Sequence, residues 1–309
     1  MICEISFPPK WIDASVLEKS IEDGGNPHGI DVYEVIFRFP AGCKIMVDSA
    51  VRLLSLCNQL NLSTRRVRID FEEGEAGTMG YLNRMGFFDH LAQEVEVSPS
   101  RPSFSGAEVY AGTNSALVEI AGISPNSRDD NLPTRLTEAM MGSCANRRDA
   151  IDLVNSCWTI FAELIDNIFS HSSTQLDGYA ALQVYPRGGT VKVAVSDSGL
   201  GIMETLRPSL KTEFPALKDL SDIDLLVEIF RQGISRHGTD RGCGLKGSAE
   251  KAMKYAGELD VRLPNIRVLL TPGIEGYKPN IAHCYENLPL IWGTHICFAF
   301  KLDKSAKSD

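Results

Sequence analysis

Three short clusters in this 309-residue chain hold residue types that can handle a phosphorylated ligand. In Glu163-Leu164-Ile165-Asp166-Asn167, positions 163 and 167 lie one helical turn apart, so a carboxylate and a carboxamide oxygen share one helix face. The carboxylate can take a proton from a water attacking a phosphate. The carboxamide oxygen suits a hard magnesium ion that keeps several of its own waters. A solvated helix face explains the same letters, and this cluster does not choose by itself.

In the second cluster, Asp197-Ser198-Gly199-Leu200-Gly201, an acid stands where the apolar run VKVAVS ends, followed by Ile202. A carboxylate there can accept a hydrogen bond from an exocyclic amine of a base, and the glycines let backbone approach a flat ligand. An ordinary strand-ending turn has the same composition. The third cluster, Gly242-Cys243-Gly244-Leu245-Lys246-Gly247, precedes a helix expected from Ser248 to Tyr255. Glycines before a helix N-terminus expose unpaired N–H groups to an anion, and Lys246 adds a charge. By letters this is also the dinucleotide fingerprint, but RQGISRHGTDR before it is no strand, so the βαβ context is missing. No GxxxxGK[ST] occurs, which excludes a Walker loop. Thr294, in Gly293-Thr294-His295-Ile296, supplies a hydroxyl at the start of the last strand.

The elements that must position these residues follow from periodicity. A helix from Asp149 to about Ser170 carries the first cluster, with Ile151, Val154, Trp158, Phe161, Leu164, Ile165 and Ile168 at helical spacing. GYAALQVYP and TVKVAVSD alternate as strands and are joined by RGG, which reads as an antiparallel hairpin. SALVEIAGI, LDVRL, IRVLL and HICFAF read as further strands. Upstream, DVYEVIFRF and VRIDF read as strands and the stretch from Ile45 to Leu60 as an amphipathic helix facing one core; TMGYLNRMGFFDHL continues at helical period. SPSRPSFSG at 98–106 has the composition of a linker, and SPNSRDDN is a second polar break. These give two domains, 1–110 and 111–309.

Composition narrows the function. Apolar residues make up 43% and charged residues 23%, values of an ordinary folded chain. A net charge of -9 argues against nucleic acid or anionic lipid as partner, and Arg65, Arg66 and Arg68, the one dense basic cluster, read as a solvated strand edge. Eight cysteines without a CxxC pair read as reduced thiols, with a cytoplasmic location as the expectation. No run of about 18 apolar residues is present to span a membrane.

Together the ExxDN helix, the DxGxG turn, the GxGL turn and the GTxIxF strand, in this order over roughly residues 130–300, resemble the GHKL ATPases. That superfamily includes DNA gyrase B subunits, heat-shock chaperones of the ninety-kilodalton class and histidine kinases. The resemblance implies a Bergerat-type two-layer α/β sandwich, a mixed sheet with helices on one face, and ATP with Mg2+ as ligands. It implies that Glu163 positions or deprotonates the attacking water and that Asn167 binds the magnesium. Asp197 would accept from the adenine amine with Thr294 assisting, and Gly199, Gly201 and Ile202 would line the base. Gly242, Gly244, Leu245 and Lys246 would meet the phosphates, with 202–241 as a mobile lid. Cys243 and the single GxGL depart from the family pattern, so the phosphate contacts transfer least directly.

The implied activity is ATP hydrolysis that drives a conformational switch, with a protein partner or a second copy of the chain as the responding element. Two alternatives use the same pocket. One is a serine or histidine kinase of the anti-sigma or two-component kind; the N-terminal unit resembles the STAS-type domains on which such serine kinases act. The other is a nucleotide-gated binding module without turnover. Against a sensor kinase stand the dispersed histidines and the lack of a helix pairing a phosphoacceptor histidine with Glu and Arg.

Overall fold

The computed structural model describes residues 1–301 except 112, 114, 115, 125–128, 145, 146, 172, 173, 233, 235–242, 256 and 275; for 139, 143, 169–171, 211 and 243–245 it describes the backbone alone. The chain is α/β, with helices packed on several sheets. Its first part runs β1 (Ile2–Ser6), β2 (Trp11–Ile12), α1 (Ala14–Gly24), β3 (Glu34–Phe39), β4 (Lys44–Ile45), α2 (Val47–Leu62), β5 (Arg66–Phe71), α3 (Thr78–Arg84), α4 (Phe87–His90), β6 (Glu96–Ser98) and α5 (Gly106–Val109). The second part runs β7 (Leu117–Ile123), α6 (Leu132–Ser143), α7 (Ala150–His171), β8 (Gly178–Tyr185), β9 (Thr190–Ser196), α8 (Ile202–Glu213), α9 (Asp222–Gln232), α10 (Cys243–Lys254), β10 (Glu258–Arg262), β11 (Arg267–Pro272), β12 (Tyr277–Tyr285) and β13 (His295–Lys301). No helix among the described residues is long and apolar enough to cross a membrane.

β1, β3, β5 and β6 form a parallel sheet in that order. β1, β3 and β5 alternate strictly. Cys3, Ile5, Val35, Phe37, Val67 and Ile69 are buried on the face toward α1 and α2, and the opposite face carries charge. There Arg38 pairs with Glu4 at 2.6 Å and Asp70 at 2.9 Å, and Arg66 pairs with Glu96 at 2.8 Å. Arg66 and Arg68 thus belong to a ladder of ion pairs on a solvated face, while Arg65 donates to the carbonyls of His28 and Gly29. The Ser- and Pro-rich stretch after β6 is docked. Arg101 donates to the carbonyls of Phe88, Leu91, Ala92 and Val95 and closes the end of α4.

The larger sheet has seven strands in the order β12-β11-β10-β13-β9-β8-β7. Every described pairing in it is antiparallel, where the resemblance implies a mixed sheet. The β8–β9 hairpin forms as the RGG turn requires, and β12 is a strand that the periodicity does not announce. One face is apolar: Leu182, Val184, Val193, Val195, Leu259, Val261, Phe298 and Phe300 pack against helices including α6, α7 and α10.

The other face is polar in sequence, with Lys192, Asp260, Arg262, Arg267 and His295 on it, yet α1 and α2 cover it. The layers therefore run sheet, helices, sheet, helices. Positions 47–60 of α2, expected to face one core, are buried on every side because a sheet lies on each of its flanks. Its polar residues find partners across that boundary. Asp48 takes a 2.8 Å contact from Lys192, Asn58 donates to the Tyr179 hydroxyl at 2.7 Å, and the Val47 N–H donates to the Tyr185 hydroxyl at 2.9 Å. Arg52, 1% exposed, bridges Glu18 of α1 and Asp260 of β10.

Candidate functional site

β9 and β13 pair antiparallel, with Ser196 opposite His295, so the next residue out on each strand, Asp197 and Thr294, meets its counterpart where the ladder opens. The Asp197 N–H donates to the Thr294 carbonyl at 3.0 Å. In return the Asp197 carboxylate accepts from the Thr294 N–H at 3.0 Å through Oδ2 and from the Gly199 N–H at 2.7 Å through Oδ1. Thr294 Oγ1 accepts from the Ile202 N–H at 3.1 Å. One carboxylate and one hydroxyl thus lock three segments: the end of β9, the start of α8 and the start of β13.

Glycine is required at two points of this lock. Gly293 has φ of +92°, and a Cβ on it would lie 2.1 Å from the Asp197 carbonyl oxygen and 2.8 Å from Oδ1. Gly201 has φ of +83° and would place a Cβ 3.2 Å from the Gly293 carbonyl. Both conformations strain a residue with a side chain.

Burial pushes the Asp197 carboxyl up to about 6, and the two N–H bonds and the Thr294 hydroxyl keep it from rising further. A carboxylate has about four acceptor positions, and the two N–H bonds together with the Thr294 hydroxyl leave room for another donor. The carboxylate can therefore accept from a further donor near neutral pH.

The C-terminal part of α7 comes to the same place. A Cβ on Gly178, at the start of β8, would lie 2.8 Å from Ile168 Cδ1 and 2.9 Å from the Ser196 carbonyl. Ile168 and Ser196 are thus neighbours, and Asn167 adjoins the residue that packs beside the Asp197 turn. Glu163 and Asn167 are both partly exposed on α7, one turn apart.

The glycine-rich cluster is placed differently from expectation. α10 begins at Cys243 rather than Ser248, so Gly244 and Leu245 are in its first turn, where backbone N–H groups still lack intrahelical partners, and Lys246 and Gly247 follow them. The helix packs along α7. Lys246 lies 3.9 Å from Glu250, one turn on. Gly242 lies outside the described residues, as do the glycines at 233 and 238 of the expected lid; 202–232 forms helices α8 and α9 with a short 3-10 turn between them. The structure thus gathers Asp197, Gly199, Gly201, Ile202 and Thr294 directly, and Ile168, the neighbour of Asn167 on α7, lies near Ser196.

Sequence reasoning missed Gln59 and Trp292. The Gln59 carboxamide donates to Ser198 Oγ and to the Trp292 carbonyl, both at 3.0 Å, and accepts from the Trp292 N–H at 2.8 Å. The Trp292 ring stacks on His28 at 5.0 Å. Nothing in the polar spacing of α2 marks Gln59, since a glutamine on a helix reads as solvated.

No protein-family model, no curated protein and no solved structure matches this chain.

Proposed function

We propose that residues 130–300 bind ATP with magnesium and hydrolyse it, using the nucleotide to drive a conformational switch. The observation that carries this reading is the Asp197 carboxylate. It is clasped by the Gly199 and Thr294 N–H groups, keeps acceptor capacity, and is flanked by glycines that no side chain could replace without strain. An adenine amine is a donor that such a carboxylate can accept from, while the ring fits against glycine backbone.

Asn167 fits a magnesium ion that arrives with the triphosphate. Among the described residues no group of three His, Cys, Asp or Glu is placed to hold an ion by itself. A single carboxamide oxygen leaves the remaining positions to phosphate oxygens and water, as that ion prefers. Bound there, the ion would neutralise phosphate charge. Glu163, one turn before Asn167, orients the attacking water and accepts its proton. The first-turn N–H groups of α10 meet phosphate oxygens, with Lys246 close by.

The test is incubation of the pure protein with γ-labelled ATP and magnesium, followed by separation of free phosphate, labelled protein and intact ATP. Released phosphate is the expected product. Label on the protein would mean a kinase, and intact bound ATP a binding module.

A further inference from the structure

Gln59 lies in the part of the chain that carries none of the expected ligand-binding residues, yet it touches both segments that hold Asp197. It is fully buried, and so is Ser198. A carboxamide offers a donor and an acceptor in one plane, as a peptide group does, and Gln59 uses both on the Trp292 main chain much as a neighbouring strand would. Its second donor bond goes to Ser198 Oγ. Ser198 precedes Gly199 and Trp292 precedes Gly293-Thr294, so each N–H that clasps the Asp197 carboxylate lies within two residues of an atom that Gln59 fixes.

Other polar residues at this boundary do not do this. Asn58 joins Tyr179 to the His90 carbonyl and the Ala92 N–H, and Tyr185 accepts from Val47 in the first turn of α2. Neither reaches the 197–199 turn or the 292–294 segment. Of these three, Gln59 alone spans from α2 to the two segments that hold Asp197.

We propose that Gln59 is a positioning residue for the Asp197 site, through which the N-terminal sheet-and-helix unit sets that site's affinity for a purine. The identity of the ligand rests on the nucleotide reading above; the positioning of the two N–H groups does not. Affinity and N-terminal conformation are then linked in both directions: whatever shifts α2 alters purine binding, and the purine alters α2.

The test compares Gln59→Met, which keeps length and loses all three hydrogen bonds, with Tyr185→Phe, which loses one bond at the other end of α2. Amide exchange at Gly199 and Thr294 is followed by NMR without ligand, and Mg-ATP affinity by titration. Gln59→Met is expected to speed exchange at both amides by about tenfold or more and to weaken ATP by about tenfold, with Tyr185→Phe near wild type in both. Equal exchange in the two variants, or unchanged exchange in Gln59→Met, overturns the proposal. Ser198→Ala guards against misfolding of the methionine variant: it should speed exchange at Gly199 and leave Thr294 protected, and equal effects on the two amides overturn the proposal as well. If wild type fails to bind Mg-ATP, the nucleotide reading falls, while the exchange data still decide the role of Gln59.

Discussion

Arg52 of α2 and Asp260 of β10 stand 208 residues apart in the chain and meet at 3.1 Å in a boundary closed to water. Arg52 also holds Glu18 at 2.8 Å, Arg262 reaches Glu18 at 3.0 Å, and Arg267 closes the group on Asp260. Removing one member of such a network leaves its partners charged and dry. Arg52→Ala is therefore expected to lower unfolding stability by about 3–5 kcal/mol. Urea denaturation of the two proteins measures it, and a change below about 1 kcal/mol would show that water already reaches the network.

The same network fixes a pH response. Burial by itself would raise the Asp260 carboxyl, but the Arg267 and Arg52 guanidinia outweigh it and hold the group at about 2. A carboxyl whose folded value lies below its unfolded value near 4 stabilises the protein fully above pH 4, and that stability is lost as pH falls toward 2. Its share is about 2–3 kcal/mol. Denaturation midpoints measured between pH 5 and 2 should fall more steeply in wild type than in Asp260→Asn.

At Gly293 the backbone and the site make one demand. Gly293→Ala would place a methyl 2.1 Å from the Asp197 carbonyl oxygen at a φ of +92°, so the Asp197–Thr294 clasp must open. Stability is expected to drop by about 1–3 kcal/mol. ATP affinity should fall with it, and calorimetric titration of the folded variant checks this. Wild-type affinity would mean that the clasp is not part of the pocket.

Binding and chemistry separate through Asp197→Asn and Glu163→Gln. An amide at 197 presents a donor where the proposed purine amine needs an acceptor, so binding should weaken by about 1–3 kcal/mol. Glu163→Gln should cut turnover by roughly a hundredfold or more with little change in affinity, because the water's proton moves only on the way to the transition state. Phosphate release and ATP titration on both variants read the two effects.

The pocket also titrates. With its carboxyl raised to about 6 by burial, Asp197 becomes protonated in the ligand-free protein as pH falls below that value and loses acceptor capacity. Mg-ATP affinity is expected to decline from pH 7 to pH 5, and Asp197→Asn should flatten the profile. A wild-type profile level across that range would remove Asp197 from the contact.

The parts of this fold that could be read in the sequence are those whose pattern has one physical cause. The β8–β9 hairpin follows from alternation around RGG, and α7 from apolar spacing that a single core demands. The Asp197 turn lies where the acid after VKVAVS places it. The errors share a cause of their own. Lys192, Asp260, Arg262 and His295 alternate with apolar residues as a solvated sheet face would, and the polar positions of α2 look equally wet, yet the two surfaces cover each other. Alternation reports that a face is polar and not what lies against it. α10 starts five residues early for a related reason: glycines lower helix propensity, but packing along α7 outweighs it.

A buried helix with charged flanks also bears on how the chain is made. At about 5–20 residues per second, α2 leaves the ribosome on the order of 10–40 seconds before Asp260 is synthesised. During that interval the surface bearing Asp48, Arg52 and Gln59 waits in water without its sheet. An apolar surface waiting so long would capture other nascent chains. Hydrated arginine, aspartate and glutamine offer no apolar surface to such capture, so the polarity that looks costly in the finished protein is not a liability while its partner strands are still missing.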